Sequence, residues 1–344
     1  MKNIYLRVAA LVFLVMLTGG PRSAAQGTPS SAPSPATAPQ ALPADSSTEN
    51  LKVLSISGSD LHANPAVLGE QVSLPKYTRE LIRVQWRSND PIDLYVIRPA
   101  GISRPPVVLF LYSYPSESDR FRNDVLCENL TRDGFAAVGF VSALTGQRYH
   151  DRPMKEWFVS ELPESLVTSV HDVQMILNYL QSRDDLDVNH AGIFGQGSGG
   201  TIAILSAAVD HRIKAVDLMD PWGDWPDWLA KSPQVSEEER SQYLTQEFLA
   251  RVAPFDPVSW LTQLERPVRL QENLFNAAMP EAVRGRLEAA SPASVHVVEY
   301  HDLDEYRQKV SANAKMLDWL HAQLQSPAEN HLNAPPSKQA SATH

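Results

Sequence analysis

The sequence predicts an α/β domain built on a mostly parallel central sheet, with helices on both faces. Three observations predict it. Short apolar runs alternate with helix-like segments, the order that builds strand–helix–strand units. Two of the runs, residues 107–112 and 135–141, are apolar at almost every position, as expected of strands covered on both faces. A glycine-rich turn at residues 195–200 joins another run directly to a helix-like segment. The 344 residues are 43% hydrophobic, enough for one large core. Thirty basic against 40 acidic residues leave a net charge of -10, and binding nucleic acid would need a basic footprint, so no nucleic-acid partner is expected. The single cysteine, Cys127, can form neither an internal disulfide nor a cysteine-based zinc site. Set among Val125, Leu126 and Leu130, it reads as a core thiol.

Residues 1–25 read as a signal peptide. Lys2 and Arg7 precede and open an apolar run at 8–17 that is too short for a membrane span, and Ser23-Ala24-Ala25 offers small residues for cleavage. The expected location is secreted or periplasmic, with no stable membrane span once the signal is removed; an uncleaved anchor is the alternative. Residues 26–50, rich in Pro, Ala, Ser and Thr, bury too little apolar surface to offset their ordering entropy and read as a flexible linker. Residues 326–344 read as a disordered tail for the same reason. The folded domain is expected over 51–325.

Within it, residues 81–86 and 93–98 flank Ser88-Asn89-Asp90-Pro91 and read as a hairpin. The strand at 107–112 is followed by a helix-like stretch over 120–133, closed by Gly134, and then by the strand at 135–141. The clearest helix spans 164–182, where Leu166, Val170, Val173, Leu177 and Leu180 recur at steps of 4, 3, 4 and 3 and so share a face. A strand at 191–194 leads through the glycine-rich turn into a helix at 201–209. Strands follow at 214–219, 268–271 and 295–300. A closing helix is expected over 307–324, with Val310, Leu317, Leu320 and Leu324 on its apolar side.

The turn Ala191-Gly192-Ile193-Phe194-Gly195-Gln196-Gly197-Ser198-Gly199-Gly200-Thr201 carries the chemistry-bearing signal. Gly195, Gly197 and Gly200 satisfy the spacing of a dinucleotide-binding loop, but the acidic partner expected ~20 residues on could only be Asp217, which lies in mid-strand. The strand–turn–helix resembles instead the nucleophile elbow of the α/β-hydrolase superfamily, and the order of elements over 51–325 is similar to its dienelactone-hydrolase and prolyl-oligopeptidase-like branches. That resemblance implies a serine hydrolase ancestry, an esterase or peptidase site, and no cofactor.

The elbow pattern places small residues around a central nucleophile. With Gly195 first and Gly199-Gly200 last, the nucleophile position falls on Gly197, and the serine is missing. The other register makes Ser198 the nucleophile, flanked by Gln196 and Gly200, and requires a bulky residue where close packing wants a small one. The Gly197 register is preferred; in it the backbone N–H of Ser198 faces the oxyanion position. The acid expected after the strand at 268–271 falls on Asn276, with Glu272 nearby as a substitute. The base expected after the last strand falls near Asp304 or Glu305, with His301 three or four residues early. An amide orients an imidazole but does not stabilise its charged form. The resemblance thus implies a pseudoenzyme with a degenerate triad; the alternative is an active arrangement of Ser198, His301 and Asp220 or Glu272.

The resemblance implies that the segment at about 221–262 forms a small cap insertion over the pocket. Its Trp222, Trp225 and Trp228 alternate with carboxylates and could stack on a sugar or aromatic ligand, or simply pin the cap to the domain, the preferred reading. Tyr112 and Ser113, with Gln196 and Ser198, are expected to line the oxyanion side of the pocket and to crowd it. His171-Asp172 and His150-Asp151 lack the spacing of a metal site, so no metal is expected. The expected partner is a small molecule: an ester, a sugar or an aromatic compound.

Overall fold

The computed structural model describes residues 44–324, apart from 115–117, 145–147, 149–158 and 312–314. The expected signal peptide, most of the expected linker, the tail and His150-Asp151 lie outside the described residues. Nine strands form one sheet: β1 (Val67–Ser73), β2 (Tyr77–Val84), β3 (Ile92–Pro99), β4 (Pro106–Leu111), β5 (Ala136–Gly139), β6 (Asp187–Gln196), β7 (Ile213–Met219), β8 (Val268–Asn273) and β9 (His296–Tyr300). Their spatial order is β1-β2-β3-β5-β4-β6-β7-β8-β9. The first four in that order pair antiparallel, and every pairing from β5 to β9 is parallel.

The parallel strands are covered on both faces, which is why they are apolar throughout. Along β4, Val107, Leu109 and Leu111 belong to one buried cluster and Val108 and Phe110 to the other. Helices α1 (Ala44–Leu54), α3 (Leu162–Gln181) and α4 (Ser198–Val209) contribute to the first cluster, and α2 (Asp124–Thr131) to the second. The periodic face read in α3 is buried as expected: Leu166, Val170, Val173, Leu177 and Leu180 are all fully covered. Helix α4 is buried nearly all round, with Ile202, Ala203, Ile204 and Leu205 inaccessible.

Three differences from the sequence reading have local causes. Helix α1 takes in the last seven residues of the expected linker, 44–50; Leu54 is buried, its carbonyl accepts from the Gln174 amide at 2.8 Å, and His171 Nε2 lies 2.8 Å from the Val53 carbonyl. Strand β1 went unread because it is an edge strand with six exposed positions and no alternation. Between β7 and β8 come α5 (Trp225–Lys231), α6 (Arg240–Tyr243), α7 (Gln246–Val252) and α8 (Pro257–Leu261), and between β8 and β9 comes α9 (Glu281–Ala290). The closing segment is no single helix. A short α10 (Leu303–Tyr306) starts where Asp302 caps the Glu305 N–H, a π-helical turn follows at Arg307–Ser311, and α11 (Asp318–Leu324) completes it. The apolar side chains predicted there, Val310, Leu317, Leu320 and Leu324, are nonetheless buried in the second cluster. No helix among the described residues is long and apolar enough to cross a membrane.

Candidate functional site

The strand-to-helix turn between β6 and α4 has Gly197 at its apex, with φ 54° and ψ -120°, backbone angles that side-chain-bearing residues seldom adopt. Its N–H donates to the Met219 carbonyl at 2.9 Å, and its own carbonyl accepts from the N–H groups of Gly200, Thr201 and Trp222. The turn is thereby locked to both the end of β7 and the first residues of the cap. Space is as restrictive as conformation. A Cβ on Gly197 would lie 2.2 Å from Ser113 Oγ and 3.1 Å from Trp222 Nε1, and one on Gly199 would lie 2.2 Å from the Leu111 carbonyl oxygen.

Ser113 therefore stands where a side chain on the apex would go. It lies just beyond β4, half-buried, and its hydroxyl donates to the Tyr114 carbonyl at 3.3 Å. Ser198 is the first residue of α4 and is fully buried. Its Oγ accepts from the Tyr114 backbone N–H at 2.8 Å, which ties the helix start to the segment after β4. Gln196, the last residue of β6, is half-buried. Tyr112 carries the Arg120 guanidinium 3.9 Å over its ring. Burial pushes its hydroxyl above the ordinary tyrosine range, and Arg120 pulls it part of the way back.

Asp220 follows β7 in a left-handed conformation, φ 47°. Its buried carboxylate accepts three hydrogen bonds: from the Asn273 N–H at 2.8 Å, the Asn273 amide at 2.7 Å and the Asn276 amide at 2.8 Å. Burial raises its pKa, and the Asn273 and Asn276 donors offset part of that rise. Asn276 in turn accepts from the Ala278 N–H at 3.0 Å. The acid and its neighbours are thus occupied with amides.

His301 is exposed, and its backbone N–H donates to Glu305 at 2.7 Å. Glu305 also pairs with Lys309, whose hydrogen bond first and His301 N–H second hold its carboxyl below the usual range. Asp304 pairs with Arg307 at 3.5 Å. Asp302 accepts the Glu305 N–H at 2.8 Å while Glu305 accepts the His301 N–H, a cap at the start of α10 legible in the sequence as an acidic residue three positions before a glutamate. Among the described residues no hydrogen bond joins Ser198, His301 and Asp220. Glu272 is buried on β8; burial first, and then the neighbouring Glu288 carboxyl, push it up to about 9, so it holds its proton at neutral pH and offers no charge to an imidazole.

The three cap tryptophans are core. Trp222, Trp225 and Trp228 are 2%, 1% and 0% exposed, with Trp222 and Trp228 ring centroids 4.5 Å apart and Trp225 edge-on to Trp228 at 5.8 Å. No broad ring face is left for a sugar, and the preferred packing role accounts for them. Thr201 ties this cluster to α4 by donating to the Trp222 carbonyl at 2.6 Å. Sequence reasoning missed Tyr114 and Asn273, because each acts on a residue more than fifty positions away. It also missed Tyr306, which stacks edge-on against Tyr300 at 5.3 Å and whose hydroxyl is raised by burial and then by the nearby Tyr300, Tyr112 and Asp220.

No family model matches the chain. A curated protein of Bacillus subtilis (strain 168) named "Putative hydrolase YtaP" is 26% identical over 157 residues, 40% of this chain; the match spans about half, 52%, of that protein's length. Among solved structures, the acetyl xylan esterase from Paenibacillus sp. R4 superposes with a TM-score of 0.63 at 18% identity, covering 82% of this chain and 95% of that one. Acetyl xylan esterase 1 from Thermoanaerobacterium sp. JW/SL YS485 gives 0.63 at 14% identity, over 82% and 93%. The acylaminoacyl peptidase of Pyrococcus horikoshii gives 0.52 at 12% identity, over 78% and 52%. These structures share one architecture, and the strand order, the parallel run from β5 to β9 and the tight turn between β6 and α4 agree with it: the chain has the α/β-hydrolase fold.

Proposed function

We propose that this chain is a catalytically impaired or non-catalytic α/β-hydrolase-fold protein, exported from the cytoplasm, that binds a small molecule at the C-terminal ends of β4, β6 and β7. The observation that carries this reading is the apex of the elbow. Gly197 has no side chain to attack with, and Ser113 Oγ fills the space one would need. The only serine beside it in the turn, Ser198, has its Oγ on a backbone N–H and not on an imidazole. A triad stripped of nucleophile or base loses ~10⁶ in turnover in the best-measured case. Ligands of open α/β sheets bind outside the carboxyl ends of the strands, where Tyr112 and Ser113 sit. Because acetyl xylan esterases share the fold, an acetylated sugar is the ligand class to test first, ahead of other esters and aromatic compounds.

The test is labelling of the purified protein with a fluorophosphonate probe, with Ser198→Ala and Ser113→Ala alongside and the adduct mapped by mass spectrometry. Folded protein that takes no label, yet gives saturable heat with acetylated xylo-oligosaccharides, supports the proposal. A label on Ser198 that the alanine variant abolishes would instead establish Ser198 as a working nucleophile and overturn the proposal.

A further inference from the structure

One cation at the rim of the pocket is left without an anion. Arg120 belongs to a 3₁₀ turn at Ser118–Arg122, shortly after β4, and its guanidinium carbon lies 3.9 Å from the centre of the Tyr112 ring. Phe121 and Phe194 pack around that ring, with centroids 6.0 and 6.2 Å away, and hold it as a platform. Tyr112 directly precedes Ser113, the residue against the apex of the elbow, so the stacked guanidinium stands beside the site. Arg120 is half-buried; its Nε is closed off from solvent and has no hydrogen-bond partner. Every other arginine among the described residues sets its guanidinium on an oxygen, whether of a carboxylate, a carbonyl, an amide or a hydroxyl. Arg120 has only the face and the hydroxyl of Tyr112. The buried carboxylate after β7, Asp220, gives its oxygens to Asn273 and Asn276 and none to Arg120. A cation held partly out of water without an anion lowers stability. Where it borders a pocket, a bound ligand is what supplies the missing oxygens.

We propose that Arg120 is the anion-recognition residue of this pocket and that the molecule bound there carries a carboxylate. The inference rests on the proposed small-molecule site and names the chemical group that the site selects. A guanidinium presents paired N–H groups whose spacing matches the two oxygens of a carboxylate. With Nε enclosed, the two terminal nitrogens form the edge that a ligand reaches. One guanidinium supplies one positive charge, and among the described residues no second cation acts on Tyr112. A monoanion therefore fits better than a phosphate dianion. Stacking on Tyr112 fixes the plane of the fork before the ligand arrives, which lowers the entropy lost on binding. Two sources of the carboxylate agree with the ligand classes proposed above: an acidic sugar, with a uronate beside the acetylated residues, and an aromatic acid.

The test is titration calorimetry of the full chain with probes in charged and neutral pairs. Acetylated xylo-oligosaccharides with and without a glucuronate branch form one pair, and 2-naphthoate with 2-naphthamide the other. In one pair the acid is expected to bind about tenfold or more tightly than its neutral partner. Whichever pair shows the preference tells the acidic sugar from the aromatic acid. Arg120→Met should abolish the preference and leave the affinity of the neutral compound unchanged. Arg120→Lys keeps the charge without the fork and should retain part of it. Because the arginine is uncompensated, Arg120→Met should unfold at the parent's Tm or above it. Equal affinities within both pairs, or a preference that survives Arg120→Met, overturn the inference and leave the small-molecule site standing. Failure of all four probes to bind overturns both. A marked fall in the Tm of Arg120→Met also overturns the inference, because the guanidinium would then have its partner within the fold.

Discussion

Gly197 sets the geometry of the turn through two separate constraints, backbone angle and space, and each can be tested. Gly197→Ser would put a Cβ in a conformation that costs ~1–3 kcal/mol for a residue with a side chain, and into contact with Ser113. We expect a combined loss of about 2–4 kcal/mol in chemical denaturation. The double variant Gly197→Ser/Ser113→Gly should recover part of it, because only the steric share is relieved. A single variant as stable as the parent would sink the argument that Ser113 holds that space. Ser198→Ala makes a complementary prediction. It strips the Tyr114 N–H of its acceptor in a buried position, with an expected cost of about 1–3 kcal/mol. A neutral result in the same unfolding assay would mean that water or another acceptor replaces the hydroxyl. The glycine turn was legible in the sequence. Ser113, whose Oγ fills the space beside the apex, was read only as crowding the approach, because it meets the turn through the pairing of β4 with β6.

At the scale of elements, α3 is clamped to the connection between β2 and β3 by one buried carboxylate. Asp172, 0% exposed, accepts from Trp86 Nε1 at 2.9 Å and from both Arg87 and Arg148, and Arg148 also pairs with Asp90. Burial works to raise its pKa, but the charges and hydrogen bonds of Arg148 and Arg87 outweigh it and hold the group below the usual carboxylate range. Removing one partner of such a network leaves the others buried and uncompensated, so Asp172→Asn should destabilise by about 3–5 kcal/mol at neutral pH. The sign with pH follows from proton linkage. Between the lowered folded pKa and the unfolded value near 3.9, the unfolded chain binds more protons. The stabilisation is therefore full above about pH 4 and drains away as the pH falls through the folded value. The asparagine variant should show a flatter stability profile in that acid range, and a profile parallel to the parent's would exclude Asp172 as the titrating group. The sequence marked α3 by its periodic apolar face. It offered His171-Asp172 only as a poor metal pair, because Trp86, Arg87 and Arg148 reach Asp172 from distant segments.

For the whole molecule, the single thiol reports whether the sheet and its two helical layers come apart together. Cys127 is fully buried in the cluster between α2 and the sheet, its thiol donates to the Phe121 carbonyl at 3.1 Å, and burial pushes its pKa up. Only the thiolate reacts, so an aromatic disulfide reagent at neutral pH should modify native protein no faster than it unfolds globally. Modification much faster than global unfolding, measured by fluorescence under the same conditions, would show that α2 opens on its own. Local periodicity was enough to read eight of the nine strands, the long helix α3 and the elbow, because a covered strand must be apolar throughout and a half-covered helix must repeat at 3.6 residues. Edge strand β1 escaped because exposure removes that pattern, and the broken closing segment escaped because its start is set by a cap and not by its apolar face. The contacts that decide chemistry were of another kind. Asp220 meets amides 53 and 56 residues further on, and Ser198 meets an N–H 84 residues back. Each depends on strand order and register, which crossover connections establish in three dimensions and which no spacing along the chain encodes.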